Sequence, residues 1–380
     1  MKNNISILVV PTEECNMHCV YCYHVPHVSN IVQMNFDTLE QLMRITVPNY
    51  KRIKFIWHGG EPLLRGIEFY RSVVDLQKKY ADNTVVKNLI QTNLTLLDDE
   101  YIQFFKENQF GISSSFDGTL NEHTRGNSAV ILGNRKKLIE FGNFKPEKIG
   151  NVMVLSQKNI CDLINSYEFF KENKINYKMN LYIDTTHDVI SKELAISSDV
   201  YIKEMTLFFD YWLKDVLCSV RVGNFVDLVT YLLCKEKHIC CYQSCLGKWL
   251  GVRADGTVAN CSRYYFEKYR FGNIKNYTKI EEAFQSEGFK NMLLDSIQRR
   301  EKCKNCEIYE YCQGGCSNIA MFENGMQNNG GNSCLCRIGL YKYVENKIGE
   351  LKDIPYEKLK NNYNPFFVKI VEKYKKLKKN

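Results

Sequence analysis

The chain has 380 residues and a formal net charge of +8 at pH 7, with 44% hydrophobic and 25% charged residues. This length suffices for a full core and about two domains, and the composition is that of an ordinary globular protein. No apolar run is long enough to cross a bilayer, and the run at residues 5–10 is too short for a secretion signal. We interpret the basic run at 373–380 as a solvated terminus and predict a cytoplasmic protein without nucleic-acid or membrane partners.

β-rich runs alternate with amphipathic helical patterns through the first half of the chain. Strands are predicted at residues 5–10, 53–60, 88–93, 110–118, 149–156 and 177–184. Helices are predicted at 36–45, 67–80, 98–108, 128–142 and 161–173, with start signals at Asp37 with Glu40 and at Asp98 or Asp99. Six such repeats predict an α/β fold with a parallel sheet, doubly wound or curled into a barrel, whose active residues follow the strands.

The alternation ends near residue 195, where helical patterns at 201–217 and 225–233 lead into a cysteine-dense segment. This segment, from Cys240 to Cys336, is rich in turns and has too few apolar runs for a large core, so it needs covalent or metal staples. The chain has 16 cysteines, which in a reducing compartment favours metal or redox chemistry over disulfides. Cys161, Cys218 and Cys234 lie in helical patterns and are predicted to be buried apolar fillers.

Three cysteines, Cys15, Cys19 and Cys22, share one loop after the first predicted strand. Thiolates suit iron, and three protein ligands leave one corner of a four-iron cluster open, as a catalytic metal site requires. From the loop alone, the alternative is a structural zinc site completed by His18, His24 or a distant cysteine.

Candidate ligand-binding residues follow the next three strands. Gly59 and Gly60 let backbone carbonyls approach a ligand closely, and Glu61 accepts from an ammonium group. Each residue alone also fits a turn or a helix cap, but their order and strand-end placement favour a shared site. The later members are Asn93, Ser115, Asp117 and Arg125.

The segments "CNMHCVYC" and "GGEPLL" resemble the radical S-adenosylmethionine (radical SAM) enzymes, and the resemblance covers about residues 5–235. It implies a partial (β/α)6 TIM-like barrel at 1–235, in which the open iron chelates the amino and carboxylate groups of S-adenosylmethionine. An electron from the cluster then releases a 5′-deoxyadenosyl radical that takes a hydrogen atom from substrate. The resemblance implies that Tyr23 lies near the adenine, that Gly59, Gly60 and Glu61 hold the methionine amine, and that Asn93, Ser115 and Arg125 are candidates for the ribose or carboxylate.

The second cysteine set resembles the SPASM extension of one radical SAM branch. Its pattern runs from "CLGKWLGVRADGTVANC" through "CKNCEIYEYCQGGC" to "CLC", with "DGTVANC" predicted as a hairpin. The resemblance implies a small iron–sulfur domain at 236–345, followed by a basic helical tail at 346–380. Its two auxiliary clusters would bring the total to three [4Fe–4S] clusters, whereas the spacing alone also admits two zinc knuckles.

The resemblance also implies the auxiliary ligands. One cluster would take Cys245, Cys261 and Cys316, completed by Cys240 or Cys241, of which Cys241 is our choice. The other would take Cys303, Cys306, Cys312 and a last cysteine. We favour Cys336 over Cys334 there, because "CRIGLYKYVENKI" is expected to open a helix at Cys336.

SPASM enzymes mostly act on peptides or proteins, and two subclasses compete. The layout matches the anaerobic sulfatase-maturing enzymes, which make formylglycine, but Ser262 replaces an aspartate associated with proton removal there, and Leu94 replaces a glycine. A serine is a poor base, so the main prediction is a maturase of ribosomally made peptides that forms a thioether. Peptide epimerisation, carbon–carbon cyclisation and a non-enzymatic electron carrier are further alternatives, and no residue is identified as the general base.

The predicted partners follow from that function. They are a precursor peptide and a flavodoxin- or ferredoxin-type reductant. Because the catalytic loop starts at residue 15, we expect either a separate leader-peptide recognition protein or a contribution from the tail after residue 346.

Overall fold

The computed structural model describes residues 2–23, 32–185, 189–237, 245–263 and 266–378. The chain forms two compact units. The first unit comprises Met1–Phe116, Arg125–Ile149 and Cys245–Asp295, and the second comprises Asp117–Thr124, Gly150–Ser244 and Ser296–Asn380. None of the described helices is long and apolar enough to cross a membrane.

The first unit is built on a sheet whose strands run in the order β4-β3-β2-β1-β7-β8-β9. β1 to β4 and β7 are parallel, whereas β8 and β9 are antiparallel to their neighbours. The parallel arrangement of β1 to β4 confirms the parallel sheet that the sequence predicted. The strands are β1 (Lys2–Val9), β2 (Tyr50–Trp57), β3 (Val85–Thr92), β4 (Gly111–Ser115), β7 (Trp249–Val252), β8 (Thr257–Ala259) and β9 (Gly272–Asn273).

The helices of the first unit bury apolar side chains, and two of them start at a side-chain cap. Asp98 caps α3 by accepting from the Tyr101 N–H, as predicted, whereas α1 is capped by Asn35, which accepts from the Thr38 N–H, so that Asp37 lies inside the first turn. The helices are α1 (Phe36–Thr46), α2 (Ile67–Tyr80), α3 (Asp99–Glu107) and α5 (Ser128–Glu140). The four-residue helix α4 (Asn121–Thr124) lies in the second unit.

The second unit contains the parallel strands β5 (Gly150–Leu155) and β6 (Lys178–Leu181) and most of the helices. Its largest buried side chains include Tyr167, Phe208, Phe209, Trp212 and Phe225. The helices are α6 (Leu163–Glu172), α7 (Val189–Leu194), α8 (Ser198–Lys214), α9 (Gly223–Cys234), α11 (Tyr309–Cys312), α12 (Ser317–Glu323), α13 (Asn332–Leu351), α14 (Tyr356–Asn362) and α15 (Pro365–Leu377). Helix α10 (Glu287–Cys303) begins in the first unit and ends in the second.

Two details differ from the sequence prediction. The helix expected at 201–217 ends at Lys214, so Leu217 is 81% exposed beyond it. Of the three cysteines predicted to be buried fillers, Cys218 is buried and Cys234 is half-buried, but Cys161 is exposed. That prediction was wrong for Cys161, because the residue lies in a short turn before α6 rather than on the apolar face of a helix. The predicted boundaries at residues 235 and 345 stay predictions.

Candidate functional site

The three-cysteine loop begins six residues after β1 ends. All three thiol residues are half-buried, and the Met17 N–H donates to the Cys15 sulfur. The Cys22 N–H donates to the Cys19 carbonyl oxygen at 3.0 Å, which closes a turn. Burial raises the pKa of Cys15 to about 11, and the nearby negative charges of Glu61, Cys19 and Cys22 add to the rise. The loop thus gathers three thiols whose charge a bound cation would compensate.

The glycine pair after β2 holds this loop in place. The Gly60 N–H donates to the Thr12 carbonyl at 3.2 Å, and the Glu61 N–H donates to the Glu14 carbonyl at 2.7 Å. A Cβ atom on Gly60 would lie 1.9 Å from the Glu14 carbonyl oxygen. Gly59 has a φ of +136°, which favours glycine. The segment before Cys15 therefore lies against a turn that only glycine permits.

Glu61 joins the ends of two strands. Its side chain accepts from the Leu63 N–H at 2.9 Å, the Thr92 hydroxyl at 2.7 Å and the Asn93 N–H at 2.8 Å. The residue is 1% exposed, and burial raises its pKa to about 7 against the lowering effect of these donors. The carboxyl group thus fixes the turn after β2 to the end of β3. Its predicted contact with a methionine amine stays a prediction.

Asn93 connects β3 to the cysteine loop. Its amide nitrogen donates to the Asn16 side-chain oxygen at 2.9 Å, and its own oxygen accepts from the Thr95 N–H at 2.9 Å. Leu94, which stands where the resemblance expects glycine, has a φ of +64°. The backbone therefore keeps the left-handed conformation that glycine adopts easily, at a cost of about 1 kcal/mol, while the leucine side chain is fully buried.

Ser115 and Arg125 lie beyond β3, and both belong to the first unit. Ser115 is the last residue of β4, and its hydroxyl accepts from Gln91 at 2.8 Å. Arg125 donates to the hydroxyl of Tyr21 at 2.8 Å, and Tyr21 lies between two cysteines of the loop. Arg125 therefore brings a fixed positive charge to the cysteine loop.

Asp117 has a different role from the neighbouring candidates. It lies in the second unit, fully buried, and accepts from the Thr124 hydroxyl at 2.7 Å and the Val154 N–H at 2.9 Å. These contacts join the turn after β4 to β5, which is a structural role.

Tyr23 lies beside the two residues that follow Cys261. The Arg263 guanidinium carbon lies 4.9 Å from the centre of the Tyr23 ring, and Ser262 donates a hydrogen bond to the Tyr23 side chain. Burial raises the pKa of Tyr23, and the positive charge of Arg263 opposes the rise. Within the first unit, the loop of Cys22 thus meets the segment of Cys261.

The predicted hairpin is present as β7 and β8, and it supports the cysteine loop directly. Arg253 follows β7, and its guanidinium lies 3.0 Å from the buried carboxylate of Glu13. Gly256, with a φ of +87°, forms the hairpin turn. The Asn260 amide donates to the Cys245 sulfur at 3.0 Å, which places Cys245 beside the residue that precedes Cys261. Sequence reasoning identified the hairpin but missed its ion pair with Glu13.

A cavity in the second unit is lined by five cysteines. Its lining includes Cys303, Cys306, Cys312, Cys316 and Cys334. Burial raises the pKa of Cys303, and the nearby charges of Cys312, Cys334 and Cys306 add to the rise. Cys303, Cys306 and Cys312 therefore line one cavity, and their role as one ligand set stays a prediction.

Cys334 lines this cavity, whereas Cys336, which the sequence favoured as the fourth ligand, does not; the identity of the fourth ligand stays a prediction. Helix α13 begins at Asn332, four residues before Cys336, so Cys334 rather than Cys336 lies in its first turn. Two positions along an α-helix are about 200° apart around its axis, so both thiols cannot face the cavity. Cys334 lines the cavity, whereas Cys336 is 1% exposed and is not part of the lining. The expectation that the helix opens at Cys336 is corrected.

The structure describes only part of the ligand set predicted for the other auxiliary cluster. Cys245 and Cys261 belong to the first unit and Cys316 to the second, whereas Cys240 and Cys241 lie outside the described residues, as does His24. That these cysteines bind one auxiliary cluster stays a prediction.

Known proteins resemble the chain along nearly its whole length. Residues 9–170 match the family described as the Radical SAM superfamily, and residues 240–307 match the SPASM iron–sulfur cluster-binding domain. The cysteine-type anaerobic sulfatase-maturating enzyme of Clostridium novyi is 30% identical over 349 residues, which cover 86% of this chain and 92% of that one. The chain belongs to the radical SAM family of the anaerobic sulfatase-maturating enzymes.

Other relatives agree with this membership. The serine-type enzyme of Bacteroides thetaiotaomicron is 26% identical, with 92% of this chain and 91% of that one covered. The solved structure of native anSMEcpe with bound AdoMet has a TM-score of 0.81 at 25% identity and covers 91% of this chain and 98% of that one. Streptococcus suis SuiB bound to the precursor peptide SuiA shares the fold, with a TM-score of 0.62 at 14% identity over 89% and 76% of the two chains.

The described residues fit the cofactors that this radical SAM family uses, which are S-adenosylmethionine and [4Fe–4S] clusters. Cys15, Cys19 and Cys22 offer three thiolate donors on one loop, with Arg125 nearby. No three His, Cys, Asp or Glu side chains of the described residues are placed to hold a single metal ion. Because the chain is a radical SAM enzyme, the zinc and pure electron-carrier alternatives are set aside.

Proposed function

We propose that this chain oxidises a cysteinyl side chain of a protein or peptide to formylglycine. The observation that carries the proposal is the 30% identity to a cysteine-type sulfatase-maturating enzyme across 92% of that enzyme's length. This activity was the alternative in the sequence analysis, and it takes precedence over thioether formation because the solved peptide maturase SuiB is only 14% identical.

The first unit would hold S-adenosylmethionine at the ends of β1 to β4. Cys15, Cys19 and Cys22 would hold the cluster, and the Gly59–Glu61 turn would hold the methionine amine. The guanidinium of Arg125, fixed by Tyr21, suits a carboxylate. Asn93 and Ser115 offer polar atoms for the ribose, and Tyr23 offers a ring for the adenine. When bound and reduced, the cluster and S-adenosylmethionine would supply a radical that abstracts hydrogen.

The residues around Tyr23 favour cysteine over serine as the target. Oxidation of the side chain would transfer one hydrogen atom from Cβ to the 5′-deoxyadenosyl radical, release one proton from sulfur and pass one electron to an auxiliary cluster. Water would then hydrolyse the resulting thioaldehyde to the aldehyde and release hydrogen sulfide. Ser262 and Tyr23 are poor bases, because a serine hydroxyl has an ordinary pKa far above 7 and burial raises the pKa of Tyr23 further. A thiol, with a pKa of about 8.5, loses its proton without strong assistance.

The test uses the anaerobically reconstituted full chain with S-adenosylmethionine, dithionite and sulfatase-derived peptides that carry cysteine or serine at the target position. We expect 5′-deoxyadenosine and a cysteine peptide that has lost its sulfur. A Cys19→Ala variant, which lacks one proposed loop ligand, serves as the control and is expected to release no 5′-deoxyadenosine. A product that keeps its sulfur, or an unchanged peptide alongside 5′-deoxyadenosine, contradicts formylglycine formation.

Thioether formation in a ribosomally made peptide is the second candidate, and Ser262 favours it. A carbon radical trapped by a thiol needs no carboxylate at this position, and the product keeps its sulfur while losing two hydrogens. The same mass measurement, made on any cysteine-rich peptide whose gene neighbours that of this chain, separates the candidates.

Replacing Ser262 with aspartate is expected to raise formylglycine yield from the serine peptide by at least about tenfold, since a positioned general base contributes about 10²–10⁴-fold. Mass spectrometry of the serine and cysteine peptides gives the measurement, and Ser262→Asn is the control of equal size without a base. Equal yields from the aspartate and asparagine variants would show that proton removal at this position does not limit the reaction.

The proposed partners are a peptide or protein substrate and a flavodoxin- or ferredoxin-type reductant. SuiB, which has this fold, was solved with its precursor peptide SuiA, which supports a peptide-binding surface here. A separate leader-peptide recognition protein belongs only to the thioether candidate.

A further inference from the structure

Two arginines line the cysteine cavity of the second unit. Arg299 and Arg337 share this lining with Cys303, Cys312 and Cys334. An arginine guanidinium stays protonated in proteins. Two permanent positive charges therefore stand at a site that the thiolates make negative.

Arg299 is held rigidly in place. It is 2% exposed, and its guanidinium donates to the Gly314 carbonyl at 2.9 Å, to the Ser317 hydroxyl at 2.7 Å and to the Met326 carbonyl. Gly314 lies between Cys312 and Cys316, and Ser317 follows Cys316. These contacts hold the guanidinium against the backbone segment that carries Cys312 and Cys316.

Arg337 reaches the same cavity from helix α13. It lies three residues after Cys334, which places both side chains on one face of the helix. A Cβ atom on Gly315 would lie 2.5 Å from an Arg337 guanidinium nitrogen, so the glycine leaves the space that this group occupies. Gly315 has a φ of +67°, which also favours glycine.

Among the described residues that line the cavity, one further side chain is charged. Glu323 is in the lining, and its carboxylate accepts from the Ser333 N–H at 2.8 Å and the Ser333 hydroxyl at 2.7 Å. Outside the lining, Lys237 lies near Cys312, and the carboxylate of Glu310 lies near Lys237. The lining therefore carries a net positive charge apart from its thiols.

We propose that Arg299 and Arg337 raise the reduction potential of the auxiliary cluster held by Cys303, Cys306, Cys312 and Cys334. A reduced cluster carries one more negative charge than an oxidised one, so adjacent fixed cations stabilise the reduced form. This inference rests on the proposed ligand set of the cavity and is independent of the substrate. The two arginines thereby fit this cluster to accept electrons.

The test is a redox titration of the reconstituted full chain, followed by electron paramagnetic resonance. Arg337→Gln is expected to lower the equilibrium constant for reduction of the cavity's cluster by at least about tenfold. For a one-electron couple, this lowers the reduction potential by about 59 mV. Arg337→Glu should lower that potential further, and Arg337→Lys should keep it near the wild-type value. The other two potentials should not move.

Lys347→Gln is the matched control, because it removes one charge from the same helix about 15 Å further along. Equal potentials in the lysine, glutamine and glutamate variants would overturn the proposal, as would iron loss from Arg337→Gln with no change in the potential of the remaining clusters. Failure of the ligand set is recognised separately, since Cys334→Ala would then keep the full iron content of the wild-type chain.

Discussion

Replacing Gly60 with alanine is expected to abolish 5′-deoxyadenosine release, with a loss of at least about 100-fold. A Cβ atom at this position would lie 1.9 Å from the carbonyl oxygen of Glu14 and 2.5 Å from its carbonyl carbon. Both are backbone atoms, so no side-chain rotation relieves the clash. The hydrogen bond from the Glu61 N–H to the same carbonyl, 2.7 Å long, must also break. Overpacking of this kind costs about 1–3 kcal/mol where neighbours can shift.

The displaced residue directly precedes Cys15, so the clash reaches the first proposed iron ligand. Iron analysis of the reconstituted variant is expected to show a loss of about four iron ions per chain, the content of one cluster. Gly133→Ala is the control, because an added Cβ there meets no atom within 4 Å and Gly133 is an exposed residue of α5. Full iron content and normal cleavage in Gly60→Ala would show that the glycine is not needed to position the loop.

The barrel repeat and the placement of its candidate residues could be predicted from sequence because both depend on local patterns. The alternation of apolar residues set the six strands, and β1 to β6 were found close to their predicted ranges. The carboxyl ends of parallel strands meet at one sheet edge. The strand pattern alone therefore predicted that Gly60, Asn93 and Ser115 lie at one edge of the sheet in the first unit.

The supporting contacts could not be predicted, because they join residues that are distant in sequence. Arg253 and Glu13 are 240 positions apart, and neither lies in a pattern that indicates a partner. The hydrogen bond between Asn93 and Asn16 spans 77 positions. Asn16 could have been suspected, since a polar residue between two proposed ligands is well placed to orient the loop.

Leu94 shows that a departure from a family pattern can leave the backbone unchanged. Its φ of +64° is the conformation for which glycine is ordinarily used. Full burial of the leucine side chain, worth about 2 kcal/mol, offsets a strain of about 1 kcal/mol or more. The missing glycine therefore carries less weight against sulfatase maturation than the sequence alone suggested, and Ser262 remains the relevant difference.

Replacing Cys334 with alanine is expected to remove about four iron ions per chain, whereas replacing Cys336 is expected to remove none. The two residues are close in sequence, but only Cys334 lines the cavity with Cys303, Cys306 and Cys312. The sequence favoured Cys336 because the helix was expected to start there. The Glu323 carboxylate instead binds the backbone and hydroxyl of Ser333, and α13 starts at Asn332.

The pair Cys334→Ala and Cys336→Ala forms its own matched control, since each removes one thiol from the same helix. Iron content and electron paramagnetic resonance of the reconstituted proteins give the measurement, and urea unfolding of the iron-free proteins gives the structural cost. We expect Cys336→Ala to lower the free energy of unfolding by about 1 kcal/mol, because a buried thiol is lost. Iron loss from Cys336→Ala with full iron in Cys334→Ala would restore Cys336 as the ligand. Because the N-terminal loop lies in the other unit, both variants should keep its cluster.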